Sequence, residues 1–160
     1  MSKVTCMVLA AGKGTRMRSD LPKVLHEVMG RPIILRLIES ILDGPPMGIL
    51  VVVGHEADRV KRTIEAAFPG RKATFAVQEK QLGTGHAVAS GLTALPKGSS
   101  SVVVLNGDLP LVRSGSVHRV AEAHAKAGAA LTVATMFPPD PSGYGRILRT
   151  SSGRIMGIRE

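Results

Sequence analysis

Tryptophan is absent from the 160 residues, and the aromatic complement is one tyrosine and three phenylalanines. A core made from this chain must be aliphatic, and the ring platforms that hold single-stranded nucleic acids cannot be assembled. Cysteine is almost absent too. With Cys6 alone an intrachain disulfide is excluded, and its setting in the apolar run VTCMVLAA marks a buried structural thiol with no base beside it. No apolar run approaches the roughly 20 residues of a membrane span. The short N-terminal one breaks at Gly12-Lys13-Gly14 without a cleavage-like region behind it. The expectation is a cytoplasmic protein that does not insert into membranes.

What is present fits one folded domain. Hydrophobic residues make up 44% of the chain, no segment is low in complexity, and the length suffices to bury a core. The formal net charge is +9, which attracts polyanions of any kind. The cations are dispersed except in the stretch LAAGKGTRMRSDLPKVLH, which carries Lys13, Arg16, Arg18 and Lys23. That context favours a phosphate-binding small-molecule site over a nucleic-acid face, so no nucleic-acid partner is expected.

Aliphatic runs alternate with amphipathic ones. Val4–Leu9, Ile49–Val53, Ala73–Val77, Ser101–Leu105 and Ala130–Thr135 read as strands. Pro32–Leu42, Ala57–Phe68, Thr84–Leu95 and Ser114–Ala127 read as helices, with Pro32 near a helix start where its missing N–H costs little. The strand runs are almost continuously hydrophobic, as in a sheet covered on both faces. The pattern predicts a three-layer α/β fold with a mostly parallel, Rossmann-like sheet. Ligands of such sheets bind beyond the carboxyl ends of the strands. The polar motifs all fall there: Gly12 to Lys23, Gly54-His55, Gln78 to Thr84 and Asn106-Gly107-Asp108.

Each motif has an ordinary reading beside its chemical one. The glycines of the first loop free a turn that either is only a turn or aims N–H groups at an anion. Its spacing is neither GxxxxGK[ST] nor GxGxxG, since position 17 is Met. Asp108 is a turn former or a ligand for a hard divalent cation. Gln78 offers a donor and an acceptor suited to a pyrimidine edge, and Thr84 is placed to cap the following helix. The five histidines show no metal-ligand pairing; His118 and His124, on a helix, read as surface residues, and none receives a chemical role.

Taken together the strings are more specific. L-A-A-G-x-G-T-R-M followed by D-L-P-K resembles the signature of sugar-nucleotidyltransferases. Q-x-x-Q-L-G-T-G-H-A, with V-x-G-H, G-D-x-P and G-Y-G-R-I, resembles the bacterial N-acetylglucosamine-1-phosphate uridyltransferases over nearly the whole chain. That resemblance implies a glycosyltransferase-A-like nucleotidyltransferase domain with UTP and N-acetylglucosamine 1-phosphate as its partners. It further implies that Leu9, Ala10, Ala11, Gly12, Lys23, Gln78, Gly83 and Thr84 line the nucleotide. Arg16 and Lys23 would be the working charges on the phosphates, and Asp108 would hold Mg²⁺. Asn106, Gly107, Gly145 and Glu160 would contact the sugar phosphate, Asn106 standing where some members carry an aromatic residue.

The implied reaction is attack of a sugar-phosphate oxygen on the α-phosphorus, giving UDP-N-acetylglucosamine and pyrophosphate. A phosphomonoester has its second pKa near ~6, so its oxygen needs no general base. In the resembled family the domain continues beyond the position of Glu160 and is followed by a β-helix acetyltransferase through which the subunits assemble. No hexapeptide repeat occurs in these 160 residues, so residues 1–160 are expected to form one incomplete, monomeric nucleotidyltransferase domain. Transfer of guanylyl, cytidylyl or thymidylyl groups, another sugar or a molybdopterin acceptor, and a module that binds nucleotide without turnover are the alternatives.

Overall fold

The computed structural model describes residues 3–14 and 17–159. They fall into two compact units, Met1–Ala130 and Leu131–Glu160.

In the first unit the elements run β1 (Lys3–Ala10), a 3₁₀ turn (Lys23–Leu25), β2 (Glu27–Val28), β3 (Arg31–Pro32) and α1 (Ile33–Leu42). They continue through β4 (Gly48–Val53), α2 (Ala57–Ala67), β5 (Thr74–Val77), α3 (Thr84–Leu92), β6 (Ser99–Asn106) and α4 (Ser114–Ala127). The main sheet has the order β5-β4-β1-β6 and every pairing in it is parallel. Cys6 stands opposite Ile49 and Val8 opposite Val51, while on the other side of β1 Leu9 faces Asn106.

Strand alternation sends side chains to both faces, and both are covered. Cys6, Val8, Ala10, Val51 and Val53 pack on one side with Ile34, Leu37, Ile38 and Ile41 of α1 and Val60 and Ile64 of α2. Met7, Ala11, Leu50 and Val52 pack on the other, with Ala87 of α3. This is the three-layer arrangement that the hydrophobic runs predict. Ile34, Leu37 and Ile38 recur at helical spacing and are at most 1% exposed. Each contributes about 1.5–3 kcal/mol of burial. Pro32 occupies the N-cap position of α1, where no intrahelical N–H is lost. Gly91 lets α3 lie against the sheet: a Cβ there would come within 2.7 Å of Met7 Sδ and 2.9 Å of Val52 Cγ2.

The second unit contains a hairpin of β7 (Arg146–Arg149) and β8 (Ile155–Arg159), antiparallel with Ile147 opposite Ile158. The strand expected over Ala130–Thr135 is not formed. Its β-branched and aliphatic residues have the propensity, but a strand exists only by pairing, and no ladder reaches this segment among the described residues. Leu131 is accordingly 74% exposed. Among the described residues no helix is long and apolar enough to cross a membrane.

Candidate functional site

The chain leaves β1 toward β4 and β5 on one side, then returns across the sheet to β6 on the other. The strand order therefore reverses between β1 and β6, the position at which a crevice opens beyond the strand ends in open parallel sheets. A cleft of about 610 Å³ lies there, within the roughly 300–1,000 Å³ of small-molecule sites. Leu9, Ala10, Ala11 and Gly12 line it from the end of β1, Asn106 and Asp108 from the end of β6, and Gln78, Gln81, Gly83 and Thr84 from the segment joining β5 to α3.

Backbone contacts hold these loops together. Gly107 N donates to Leu9 O at 2.8 Å, and a Cβ on Gly107 would lie 2.8 Å from that same oxygen. Only glycine allows the β6 loop to approach β1 so closely, which puts Asp108 beside the β1 loop. Gly14 has φ +62° and closes a turn by accepting from Met17 N at 2.8 Å. A Cβ on Gly14 would meet Lys23 Cβ at 2.8 Å, so the glycine loop folds directly against the lysine. Lys23 opens the 3₁₀ turn, whose Val24 and Leu25 are buried as anchors. Its ammonium Nζ donates to Asp108 Oδ2 at 2.5 Å. Both side chains remain partly open, 43% and 33% exposed.

Across the cleft, Gln78 is 4% exposed and is fixed at its backbone by donating to Val53 O at 2.7 Å. Its side-chain Nε2 lies 3.1 Å from Gly83 O and 3.0 Å from His86 Nδ1. Gln81 Nε2 donates to Ala11 O at 2.7 Å, tying this segment to the β1 loop. Thr84 is not the cap of α3. Gly83, at φ +92°, turns the chain one residue earlier and takes the N-cap position, and no side chain caps the helix. The first N–H groups of α3 are thus available beside the cleft, an arrangement that favours anions.

Of the sequence-derived site residues, Leu9, Ala10, Ala11, Gly12, Lys23, Gln78, Gly83, Thr84, Asn106 and Asp108 all line the one cleft. Gly107 supports its wall. Gly145 belongs to the second unit, immediately before β7. Arg16 and Glu160 lie outside the described residues. Sequence reading assigns Gln81 no individual role and His86 no chemistry; the signal for both is their place in the helix-start string Q-x-x-Q-L-G-T-G-H-A, which a turn folds back on itself. His118 is not a simple surface residue, since its Nε2 is buried without a partner among the described residues.

Among the described residues two groups depart from their ordinary acidity. Burial pushes the Cys6 thiol up to about 12, so it remains protonated and inert. Asp140 is held below the usual carboxylate range by the Ser142 N–H donated to it at 2.9 Å, a local turn on the surface. Among the described residues no group of three or more His, Cys, Asp or Glu side chains is placed to hold a metal. A cation that keeps its waters needs fewer: Mg²⁺ typically takes only one or two carboxylates, completed by phosphate oxygens. Asp108 is suited to that.

Residues 6–148 match the MobA-like NTP transferase domain family. The protein named bifunctional protein GlmU from Geobacter metallireducens is 45% identical over 161 residues, covering 100% of this chain and 33% of that protein. Its namesake from Anaeromyxobacter sp. (strain Fw109-5) is 47% identical over 150 residues, covering 94% of this chain and 30% of that protein. The chain thus spans about a third of the length of these curated relatives. Among solved structures, HddC from Yersinia pseudotuberculosis shares the fold with a TM-score of 0.69 at 21% identity, over 100% of this chain and 69% of that one.

Proposed function

We infer the reaction from one premise: the chain belongs to the MobA-like NTP transferase domain family. We propose that it transfers a uridylyl group from UTP to N-acetylglucosamine 1-phosphate, releasing pyrophosphate. The observation that carries this reading is the Lys23–Asp108 pair in a cleft walled by the glycine loop of β1 and by the Gln78–Gly83 segment. One wall supplies charge for phosphates and a divalent cation, and the other supplies an amide for a base. The likeness to proteins named GlmU at 45% and 47% identity supports the choice of substrates.

In the reaction a phosphate oxygen of the sugar phosphate bonds to the α-phosphorus of UTP. The bond from that phosphorus to the bridging oxygen breaks, and pyrophosphate leaves with the electron pair. The attacking oxygen is already anionic near neutral pH, so no side chain has to remove a proton. The work of the protein is positioning and charge stabilisation. Backbone N–H groups of the Gly12–Gly14 loop and of the α3 N-terminus face the triphosphate. Lys23 is placed to pair with the phosphates in place of Asp108, and the Asp108 carboxylate freed in that way would hold Mg²⁺. When bound, that cation neutralises charge on the phosphate oxygens.

The test is a pyrophosphate-release assay with Mg²⁺ and N-acetylglucosamine 1-phosphate, run separately with UTP, CTP, GTP and dTTP. Products are identified by mass spectrometry. Release with UTP that depends on the sugar phosphate, together with UDP-N-acetylglucosamine, is expected. Release only with another nucleotide, or none with UTP, overturns the reading.

A further inference from the structure

Gln78 and His86 form a relay whose polarity can be assigned. A carbonyl oxygen only accepts hydrogen bonds, so the end of the Gln78 amide that lies 3.1 Å from Gly83 O is the nitrogen. The same nitrogen lies 3.0 Å from His86 Nδ1. With one N–H given to Gly83, the second points at the ring, and Nδ1 is the accepting nitrogen. Both donors of the amide are then consumed inside the protein. Among the described residues none donates a hydrogen bond to Oε1. Nor is it sealed in, because the buried side-chain polar atoms without partners are, among the described residues, Arg31 Nε and His118 Nε2. Gln78 lines the cleft, so its free acceptor is what a ligand meets.

Place in the sheet says which part of a ligand that is. Gln78 directly follows β5, and β4 and β1 separate β5 from β6, whose loop carries Asp108. Three strand spacings of about 4.8 Å amount to roughly 14 Å, comparable with an extended nucleoside triphosphate. An uncharged amide at that remove from the phosphate charges meets a nucleobase.

We propose that His86 is a specificity-determining positioning residue: by accepting the second N–H of Gln78 it presents Oε1 to the base. A lone acceptor there suits a base edge with a ring N–H, such as N3–H of uracil, and opposes cytosine, whose N3 is itself an acceptor. The reverse orientation would set Oε1 against Gly83 O, which cannot donate to it. Without His86 only Gly83 holds the amide, and its unsatisfied N–H gains by turning to the cleft, where it can donate to cytosine N3. The inference rests on reading the cleft as a UTP site.

The experiment measures Kd for UTP and CTP with Mg²⁺ by calorimetry in the wild type, His86→Leu, His86→Asn, Gln78→Ala and the Gln78→Ala/His86→Leu double variant. Melting temperatures identify any variant that does not fold. The wild type is expected to prefer UTP. His86→Leu should lose on the order of tenfold of that preference, the equivalent of one hydrogen bond. His86→Asn, whose Oδ1 branches where Nδ1 does, should restore most of it. On the Gln78→Ala background, removing His86 should change the ratio no further. An unchanged UTP-to-CTP ratio in His86→Leu, identical ratios in the Leu and Asn variants, or a full effect without Gln78 each overturns the proposal. A wild type that binds no UTP instead overturns the uridylyl reading, and this inference with it.

Discussion

Lys23 Nζ and Asp108 Oδ2 lie 2.5 Å apart although 85 residues separate them in the chain. The contact is a product of the fold: a buried 3₁₀ turn presents the lysine, and a glycine-dependent loop approach presents the carboxylate. Ion pairs this open to solvent add about 0–1 kcal/mol to stability. Lys23→Ala and Asp108→Asn should therefore shift the melting temperature by less than about 4 °C. Each should nevertheless lower kcat by about 10²–10³-fold, the usual effect of removing one charge-stabilising group. Scanning calorimetry beside steady-state kinetics checks this. Near wild-type turnover in either variant contradicts the assigned roles.

Two glycines separate space for packing from space for ligand. A Cβ on Gly12 meets nothing within 4 Å, because the cleft lies in front of it. Gly12→Ala should keep wild-type stability and weaken UTP binding by about tenfold or more through steric conflict with the phosphates. Gly91 is the opposite case. Leucine there would gain about 1 kcal/mol of helix propensity but would collide with Met7 and Val52, an overpacking cost of about 1–3 kcal/mol. Net destabilisation in urea is expected for Gly91→Leu. A stabilised variant would show that α3 does not pack on the sheet as described.

Cys6 gives a pH signature. Its thiol is moved from 9.0 to about 12 by burial, so the folded state holds the proton more tightly than the unfolded one. The stability linked to this group is fully present below pH 9 and is lost as pH rises toward 12. Other groups titrate in the same range, so the readout is a difference. Wild-type stability should fall more steeply than that of Cys6→Ala between pH 8 and roughly 10.5. Parallel slopes for the two proteins would place the thiol in contact with water.

The sheet was legible because its central strands, β1 and β4, are buried on both faces and so are written as unbroken aliphatic runs such as GILVVV in β4. The strand-end loops were legible for the same reason: polar and glycine-rich motifs stand out directly after such runs. Ala130–Thr135 shows the limit. Its composition is that of a strand, but pairing is a property of a neighbour and not of the segment. Thr84 shows another, since a hydroxyl at a helix start reads as a cap until the positive φ of Gly83 moves the helix boundary. The roles of Gln81 and His86 depend on where a turn carries their nitrogens, to Ala11 O and to the amide of Gln78, and spacing alone does not encode that.

The central claim is that the cleft between the ends of β1 and β6 seats a nucleoside triphosphate. Titrating UTP and Mg²⁺ into the isotope-labelled chain and following backbone amide resonances tests it most directly. The account predicts saturable shifts concentrated at Gly12, Gly14, Gly83, Thr84, Gly107 and Asp108. Shifts confined to other surfaces, or none at millimolar UTP, would contradict it.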